Sequence, residues 1–312
     1  MSMPKQRSRR AVLKSIAGGA AVGLAGCLGS ESSVSVLSAG SLAATFEDHV
    51  GPAFESETGI TVQGEYFGSN AVMRMVEDGT KHPDVVVSAD ATLLRDRLVG
   101  THTDWDVEFA TNVLGIGYNA DTGFGSKMAA GEQEWYDLIR ETEQGDIAIS
   151  NPEQDPLGYR AWQAFGLAER EHDIEGFREE VWDLVEQVAE EPQVLGGVEG
   201  GSRAGAVVYG NMARDHDIPF EPFPAAYNFA DPSLADHYAT AEYTFEQDGT
   251  TVEGRPILYN ATVLDRADAP ENGRRLVEFL ASNPDDVLGE AGLATADSLP
   301  RAHGTLPDGL TI

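Results

Sequence analysis

The chain has 312 residues, with 52 acidic against 21 basic side chains and a formal net charge of −31. Such a surface repels phosphate backbones and argues against nucleic acid as a partner. Disorder, the other reading of high net charge, fails because 41% of the residues are hydrophobic and periodic segments fill most of the chain. The lone cysteine, Cys27, leaves neither a disulfide nor a thiolate metal cluster available.

Residues 1–26 read as a processing signal. Ser8-Arg9-Arg10-Ala11-Val12-Leu13-Lys14 is a twin-arginine pattern, and the apolar run from Ile16 to Leu24 is too short to span a bilayer. Leu24-Ala25-Gly26-Cys27 looks like a lipobox, so the expectation is a lipid anchor at Cys27, a tether over 27–33 and a location on the outer face of the membrane. Removing the signal leaves 16 basic residues against 52 acidic ones, with Lys81 and Lys127 the remaining lysines. An acidic, lysine-poor protein that still folds fits a high-salt environment, where screening softens self-repulsion. The remaining length exceeds what one core usually holds, so two domains are expected.

Val34-Ser35-Val36-Leu37 reads as a strand, and Ser38-Ala39-Gly40-Ser41 turns it into a helix with Leu42, Phe46, Val50 and Phe54 spaced by fours. Gly59 ends that helix, Ile60 to Tyr66 alternates as a strand, and Phe67-Gly68-Ser69-Asn70 opens a second helix. Asp84-Val85-Val86-Val87 is apolar enough for a buried parallel strand. This alternation is a doubly wound α/β pattern, in which ligands bind beyond the carboxyl ends of the strands, where Ser41, Ser69 and Ser88 sit. Val113 to Tyr118 reads as a strand leaving the first lobe, and a helix covers Glu134 to Arg140.

The strand Ile147 to Ile149 runs into Asn151-Pro152-Glu153-Gln154-Asp155-Pro156-Leu157-Gly158-Tyr159-Arg160. Asp155 can cap the following helix with Pro156 at its first position, and the turn would aim several backbone N–H groups at one point, which suits an anion. Plain capping explains the same residues without a ligand. Beyond it, Ile174 to Val188 reads as one amphipathic helix, and the glycine-dense Gly196 to Gly201 lacks the Lys-Ser/Thr of a phosphate-binding loop. Ala204 to Tyr209 reads as a strand, Pro219 to Pro224 as an extended return crossover, and Ala241–Phe245 and Pro256–Val263 as strands flanking a turn at Gln247–Thr250. A helix from Asn272 to Leu280 closes the pattern.

Nothing argues for an enzyme. The seven histidines are scattered without metal-ligand spacing, and no G-x-S-x-G elbow is present. What recurs is a hydroxyl or turn residue between a strand and a helix, at Ser41, Ser69 and the Asn151–Gly158 loop. Each alone is more often a helix cap. Together they suggest a cleft that holds a dianion by neutral hydrogen bonds and helix N-termini, with no lysine or arginine counter-charge.

These strings carry a resemblance. Leu37-Ser38-Ala39-Gly40-Ser41-Leu42, Gly68-Ser69-Asn70-Ala71, Asp84 to Asp90, Ser150 to Arg160, Val207-Val208-Tyr209-Gly210 and Pro256 to Val263 resemble the molybdate- and tungstate-binding solute-binding proteins of ABC transporters, most closely their archaeal branch. The resemblance implies an α/β, two-lobed solute-binding protein, each lobe a doubly wound sheet flanked by helices, joined by two crossover strands. Lobe I would be 34–111 and 227–312, and lobe II 112–226. It implies that Ser41 and Ser69 donate to the oxyanion, Leu157 through its backbone N–H and Tyr209 through its phenol. Asp155 would approach the metal of a six-coordinate centre. The archaeal glutamate that completes such a centre is matched here by Val208, as in bacterial binders of tetrahedral molybdate. The implied ligand is molybdate or tungstate, with no cofactor. The implied partners are an ABC permease and its separate ATPase, for a monomer anchored at Cys27. Sulfate, phosphate or ferric ion as solute, or an exported hydrolase, stay open as alternatives.

Overall fold

The computed structural model describes residues 32–312 except 154, 190, 248 and 283–286; the signal segment 1–26 and the anchor Cys27 lie outside these described residues. β1 (Ser32–Ala39) begins inside the expected tether and passes through a 3-10 turn (Gly40–Leu42) and a π-helix (Thr45–Val50) into α1 (Gly51–Thr58). Leu42, Phe46, Val50 and Phe54 are all buried, so the four-residue spacing marks one apolar face of an irregular helix. Gly59 ends it at φ 71°. β2 (Ile60–Phe67), α2 (Ser69–Glu77), β3 (Val85–Ser88), α3 (Ala91–Leu98), β4 (Trp105–Thr111) and β5 (Leu114–Tyr118) follow. Then come α4 (Gly123–Ala130), α5 (Trp135–Arg140), β6 (Ile147–Ser150), α6 (Pro156–Glu171), α7 (Phe177–Leu184), β7 (Glu186–Val188) and α8 (Glu191–Glu199). The chain continues with β8 (Gly205–Tyr209), α9 (Gly210–Asp215), β9 (Phe220–Pro222), α10 (Ala235–Tyr238), β10 (Glu242–Thr244) and β11 (Thr251–Glu253), and ends with β12 (Leu258–Val263), α11 (Pro270–Ser282) and β13 (Arg301–Gly304). Among the described residues no helix is long and apolar enough to cross a membrane.

Two mixed sheets flanked by helices result, in a two-lobed α/β fold. The first has the order β13-β4-β12-β3-β1-β2, with β2, β1 and β3 parallel and β12, β4 and β13 added antiparallel. The second has the order β7-β6-β8-β5-β9. Parallel β3 is buried along its whole length, as its Val-Val-Val run requires.

Several parts of the sequence reading need correction or refinement. Ile174–Val188 is not one helix: α7 starts after Gly176, which is left-handed at φ 78°, and stops before Val185. Glu186–Val188 pairs parallel with Ala148–Ser150 instead, because an open edge of β6 outweighs helical periodicity there. The hairpin partner of β10 is β11, and β12 instead lies in the first sheet between β3 and β4. Gly196 and Gly197 lie within a helix, α8, because Val194, Leu195 and Val198 bury one helical face. Pro219–Pro224 is extended, but its central residues pair with β5 as an edge strand of the second sheet. β4, β13 and helices α3, α4, α8, α9 and α10 have no counterpart in the sequence reading.

The two sheets meet at a buried amide network. Only Asn112 and Val113 separate β4 of the first sheet from β5 of the second. Asn112 Nδ2 donates to Asn211 Oδ1 (2.7 Å) and to Tyr259 Oη (2.9 Å), and its Oδ1 accepts from Val113 N (2.8 Å). Asn211 Nδ2 then donates to the Ser41 carbonyl at 2.6 Å. Asn112, Asn211 and Tyr259 are fully buried, where an unpaired amide is costly, so each bond constrains the others. Residues 227–257 also straddle the sheets: Tyr227 Oη accepts from Trp135 Nε1 (3.1 Å), and Val252 O accepts from Gln163 Nε2 (3.0 Å).

The outer half of the first sheet encloses two carboxylates. Asp106 takes Arg95 Nε (2.9 Å) and Asn260 Nδ2 (2.8 Å), while Glu108 takes Arg95 Nη2 (2.6 Å) and Arg301 Nε (2.8 Å). Both acids are buried, so the attraction offsets a large desolvation cost and removing one cation leaves charge uncompensated. Arg95→Met is expected to destabilise the fold by about 3 kcal/mol in urea denaturation. Asn211→Ala is expected to cost about 1–3 kcal/mol in the same measurement, because Asn112 loses an acceptor and the Ser41 carbonyl a donor. A loss near zero would mean that water replaces the amide.

Candidate functional site

The β6–α6 loop is built as its local chemistry dictates. Asp155 is the N-cap of α6, its Oδ1 accepting from Leu157 N at 2.9 Å, and Pro156 takes the first helical position. Asn151 Oδ1 accepts from Glu153 N (2.8 Å), and the Asn151 carbonyl accepts from Asp155 N (3.0 Å). Gly158 N donates to the Asp155 carbonyl at 3.1 Å. A Cβ at Gly158 would lie 2.3 Å from the Ser150 carbonyl oxygen, so this turn closes only on glycine.

This corrects one expectation. The loop N–H groups are not aimed outward at an anion; those of Glu153, Asp155, Leu157 and Gly158 are taken by the loop itself. The Leu157 N–H, assigned by resemblance to the ligand, is held by Asp155. Burial pushes the Asp155 carboxyl above its ordinary value, opposed by the Leu157 N–H, the Arg160 charge and the neighbouring Ser150 hydroxyl. That Ser150 hydroxyl is fully buried and, although beside Asp155, closes no hydrogen bond of good geometry.

Positive charge comes from a side chain instead. Arg160 is 4% exposed and its Nη1 donates to Tyr209 Oη at 2.6 Å. Its guanidinium carbon lies 6.0 Å from the Tyr159 ring centroid and 5.9 Å from that of Tyr209. Burial opposes its charge; Tyr209, Tyr159 and the Asp90 carboxylate of the first sheet support it, and the net shift is upward. Burial also pushes the Tyr159 phenol up to about 12, so it stays protonated at neutral pH. Sequence reasoning did not single out Arg160. The signal was present: Arg160 lies on the stripe of Leu157, Ala161 and Ala164, all buried, where a charge is anomalous.

The serines are placed by neighbouring elements. Ser41 lies in the 3-10 turn after β1, half-buried, with its carbonyl held by Asn211, two residues beyond Tyr209. Ser69 occupies the first turn of α2, not its N-cap, which is Gly68; its Oγ accepts from Ala89 N at 3.3 Å. Ser88 is spent internally, its Oγ bonding both the N–H and the carbonyl of Asp90. Asp90 in turn caps α3 through Thr92 N and Leu93 N. Ser41 is thus tied to the Tyr209 turn, and Ser69 to the strand end that precedes Asp90. Asn211 carries no sequence signal for this role.

A separate cavity of about 840 Å³ lies against α6 and α7, walled by Trp162, Trp182, Tyr243, Arg170 and Arg178. It shares Asn151, Pro152 and Glu153 with the loop, but none of Ser41, Ser69, Asp155, Leu157 or Tyr209 lines it. Among the described residues no three His, Cys, Asp or Glu side chains cluster to hold a metal, and Val208, at the place of the archaeal glutamate, is fully buried.

Comparison with known proteins shows the family of the chain. Residues 34–285 match the family of bacterial extracellular solute-binding proteins. The chain is 51% identical over 294 residues to a solute-binding protein of Halobacterium salinarum, covering 94% of each chain. It is 34% identical over 306 residues to a putative ABC transporter molybdenum-binding protein of Haloferax volcanii, covering 96% of each. It is 31% identical over 309 residues to a molybdate/tungstate-binding protein of Thermococcus kodakarensis, covering 87% of this chain and 85% of that one. The fold matches the periplasmic molybdate-binding protein of Azotobacter vinelandii with a TM-score of 0.57 at 17% identity, covering 85% of this chain and all of that one. The chain belongs to the bacterial extracellular solute-binding protein family, and it is a solute-binding transport protein rather than an enzyme.

Proposed function

We propose that the protein captures a tetrahedral oxyanion of the molybdate and tungstate class outside the cytoplasm and delivers it to an ABC permease driven by a separate ATPase. The observation that carries this reading is the Ser41–Asn211 bond, which ties a hydroxyl-bearing strand end of the first sheet to the Tyr209 turn of the second. The names of the Haloferax and Thermococcus relatives supply the ligand class. In this reading Ser41, Ser69 and Tyr209 present hydroxyls to the oxyanion, and lobes of residues 34–111 with 227–312 and of 112–226 close on it. Lipid modification of Cys27 would hold the monomer at the outer membrane face beside its permease. The capping role of Asp155, together with Val208, favours a tetrahedral ion over a six-coordinate centre. A lone carboxylate beside a dianion is repelled, and turning it into its own helix removes much of that cost.

Calorimetry with molybdate, tungstate and sulfate tests the ligand class, and failure of all three to bind removes it. Ser41→Ala and Ser69→Ala are each expected to cost about 1.5–3 kcal/mol of binding free energy, the worth of a hydrogen bond to a charged group. Unchanged affinity would leave these serines a structural role alone.

Asp155→Asn separates the two coordination modes, since asparagine caps a helix as well as aspartate. For a tetrahedral ligand the substitution is expected to keep or raise affinity; a collapse of affinity would mean that the carboxylate ligates the metal. The same variant has a pH signature without ligand. The folded carboxyl lies above its ordinary value of 3.8, so the native state binds that proton more tightly than the unfolded chain. Its stabilisation is full below that value and is lost as pH rises through the folded pKa. Urea melts above a pH of about 4 should therefore fall less with rising pH in Asp155→Asn than in the unsubstituted protein.

A further inference from the structure

Arg160 is the charge that the neutral-cleft picture does not account for. It is 4% exposed on the otherwise apolar stripe of α6, and a guanidinium carries five N–H donors in a rigid fork. One of these meets Tyr209 Oη at 2.6 Å. Among the described residues no other acceptor is hydrogen-bonded to it, and no carboxylate comes within 4.0 Å. Asp90 and Asp155 act on it only from beyond ion-pair distance. The contrast with Arg95 is instructive, because that guanidinium meets two carboxylates at 2.6–2.9 Å. A cation removed from water and given one neutral partner is costly unless an anion completes it.

We infer that Arg160 is the counter-charge of the bound oxyanion and that it makes the cleft select dianions over monoanions of the same tetrahedral shape. The inference rests on the oxyanion reading above and adds to it a binding residue and a specificity rule. The ligand sits against the Tyr209 hydroxyl, and the unpartnered edge of the guanidinium reaches the same anion in a charge-assisted contact. Neutral donors from Ser41 and Ser69 hold either tetrahedral ion and, through dipoles alone, favour the dianion only modestly, so shape and dipoles do not set a strong preference for tungstate over perrhenate. A fixed cation in a desolvated site does, because its attraction scales with ligand charge.

The test is calorimetric titration of the purified protein with tungstate, a dianion, and perrhenate, a monoanion of matching shape. The unsubstituted protein is expected to prefer tungstate by about 10-fold or more. Arg160→Gln is expected to weaken tungstate by about 10- to 100-fold while changing perrhenate by about 3-fold or less, collapsing the preference. Arg160→Lys keeps the charge and is expected to restore much of the preference. Circular dichroism melts check that each variant is folded. A structural role alone would weaken both anions equally, and that result overturns the inference. So does tungstate affinity in Arg160→Gln that equals the unsubstituted value. If neither variant folds, the unsubstituted protein decides: equal affinity for the two anions overturns the inference and a strong tungstate preference supports it. Equal binding of both would leave the oxyanion reading standing, whereas binding of no oxyanion overturns both.

Discussion

The amide of Asn112 stands at the junction of the two sheets. It occupies the two-residue gap between the strands that belong to different sheets, and it is sealed from water. A side chain in that position cannot relax by hydrating. It must be satisfied by the groups around it, and those groups belong to β12, to α9 and to its own strand junction. Hydrogen-bond geometry at this point thus adds direction to an apolar core that is continuous across both sheets. Asn211 extends the same constraint to the Ser41 carbonyl, so a hydroxyl of one sheet and the Tyr209 turn of the other are positioned by a single chain of bonds. Preorganisation of this kind lowers the entropic cost of assembling a site from distant parts of the chain.

Electrostatics divides the molecule into two regimes. The surface is crowded with carboxylates that water and salt screen, and its ion pairs, such as Lys127 with Glu141, are exposed and energetically modest. The interior carries few charges, each with a distinct solution. Asp106 and Glu108 are neutralised by arginines, and an asparagine amide also donates to Asp106. Arg160 has a tyrosine. In a protein so acidic, a buried cation is set apart from the surface carboxylates, whereas one on the surface would be surrounded by them.

What could be read from the residues follows from the range of the forces involved. Asp155-Pro156 announced its helix correctly because capping is local: the side chain, the imide and the N–H it satisfies lie within three residues. The Val85–Val87 strand was equally legible, since an unbroken β-branched run has one natural environment. Glu186–Val188 was misread because its periodicity suits a helix and only the edge of β6, distant in sequence, makes it a strand. Arg160 stood in plain view within the motif that carried the family resemblance. Its meaning depends on burial and on having, among the described residues, a tyrosine as its only hydrogen-bond partner, and both are tertiary facts. The loop N–H groups show the converse error. A strand, turn and helix start looked like an anion cradle, but the turn's own acceptors reached those donors first.

The enclosure of Glu108 has a kinetic side. Its partner Arg301 lies 193 residues further along the chain, and the strand beside it, β12, must insert between β3 and β4 before the sheet has a closed interior. Neither event can be nucleated by local helix formation. Closing such long loops precedes any reward from the contacts they bring, so completing the outer half of the first sheet is expected to lag behind the more local β1–α1–β2–α2–β3 contacts. Burying Glu108 before both Arg95 and Arg301 are in place would leave its charge under-compensated, which disfavours early closure of the outer half of the sheet. The same charge that a finished protein buries at great cost thus holds its unfinished form apart.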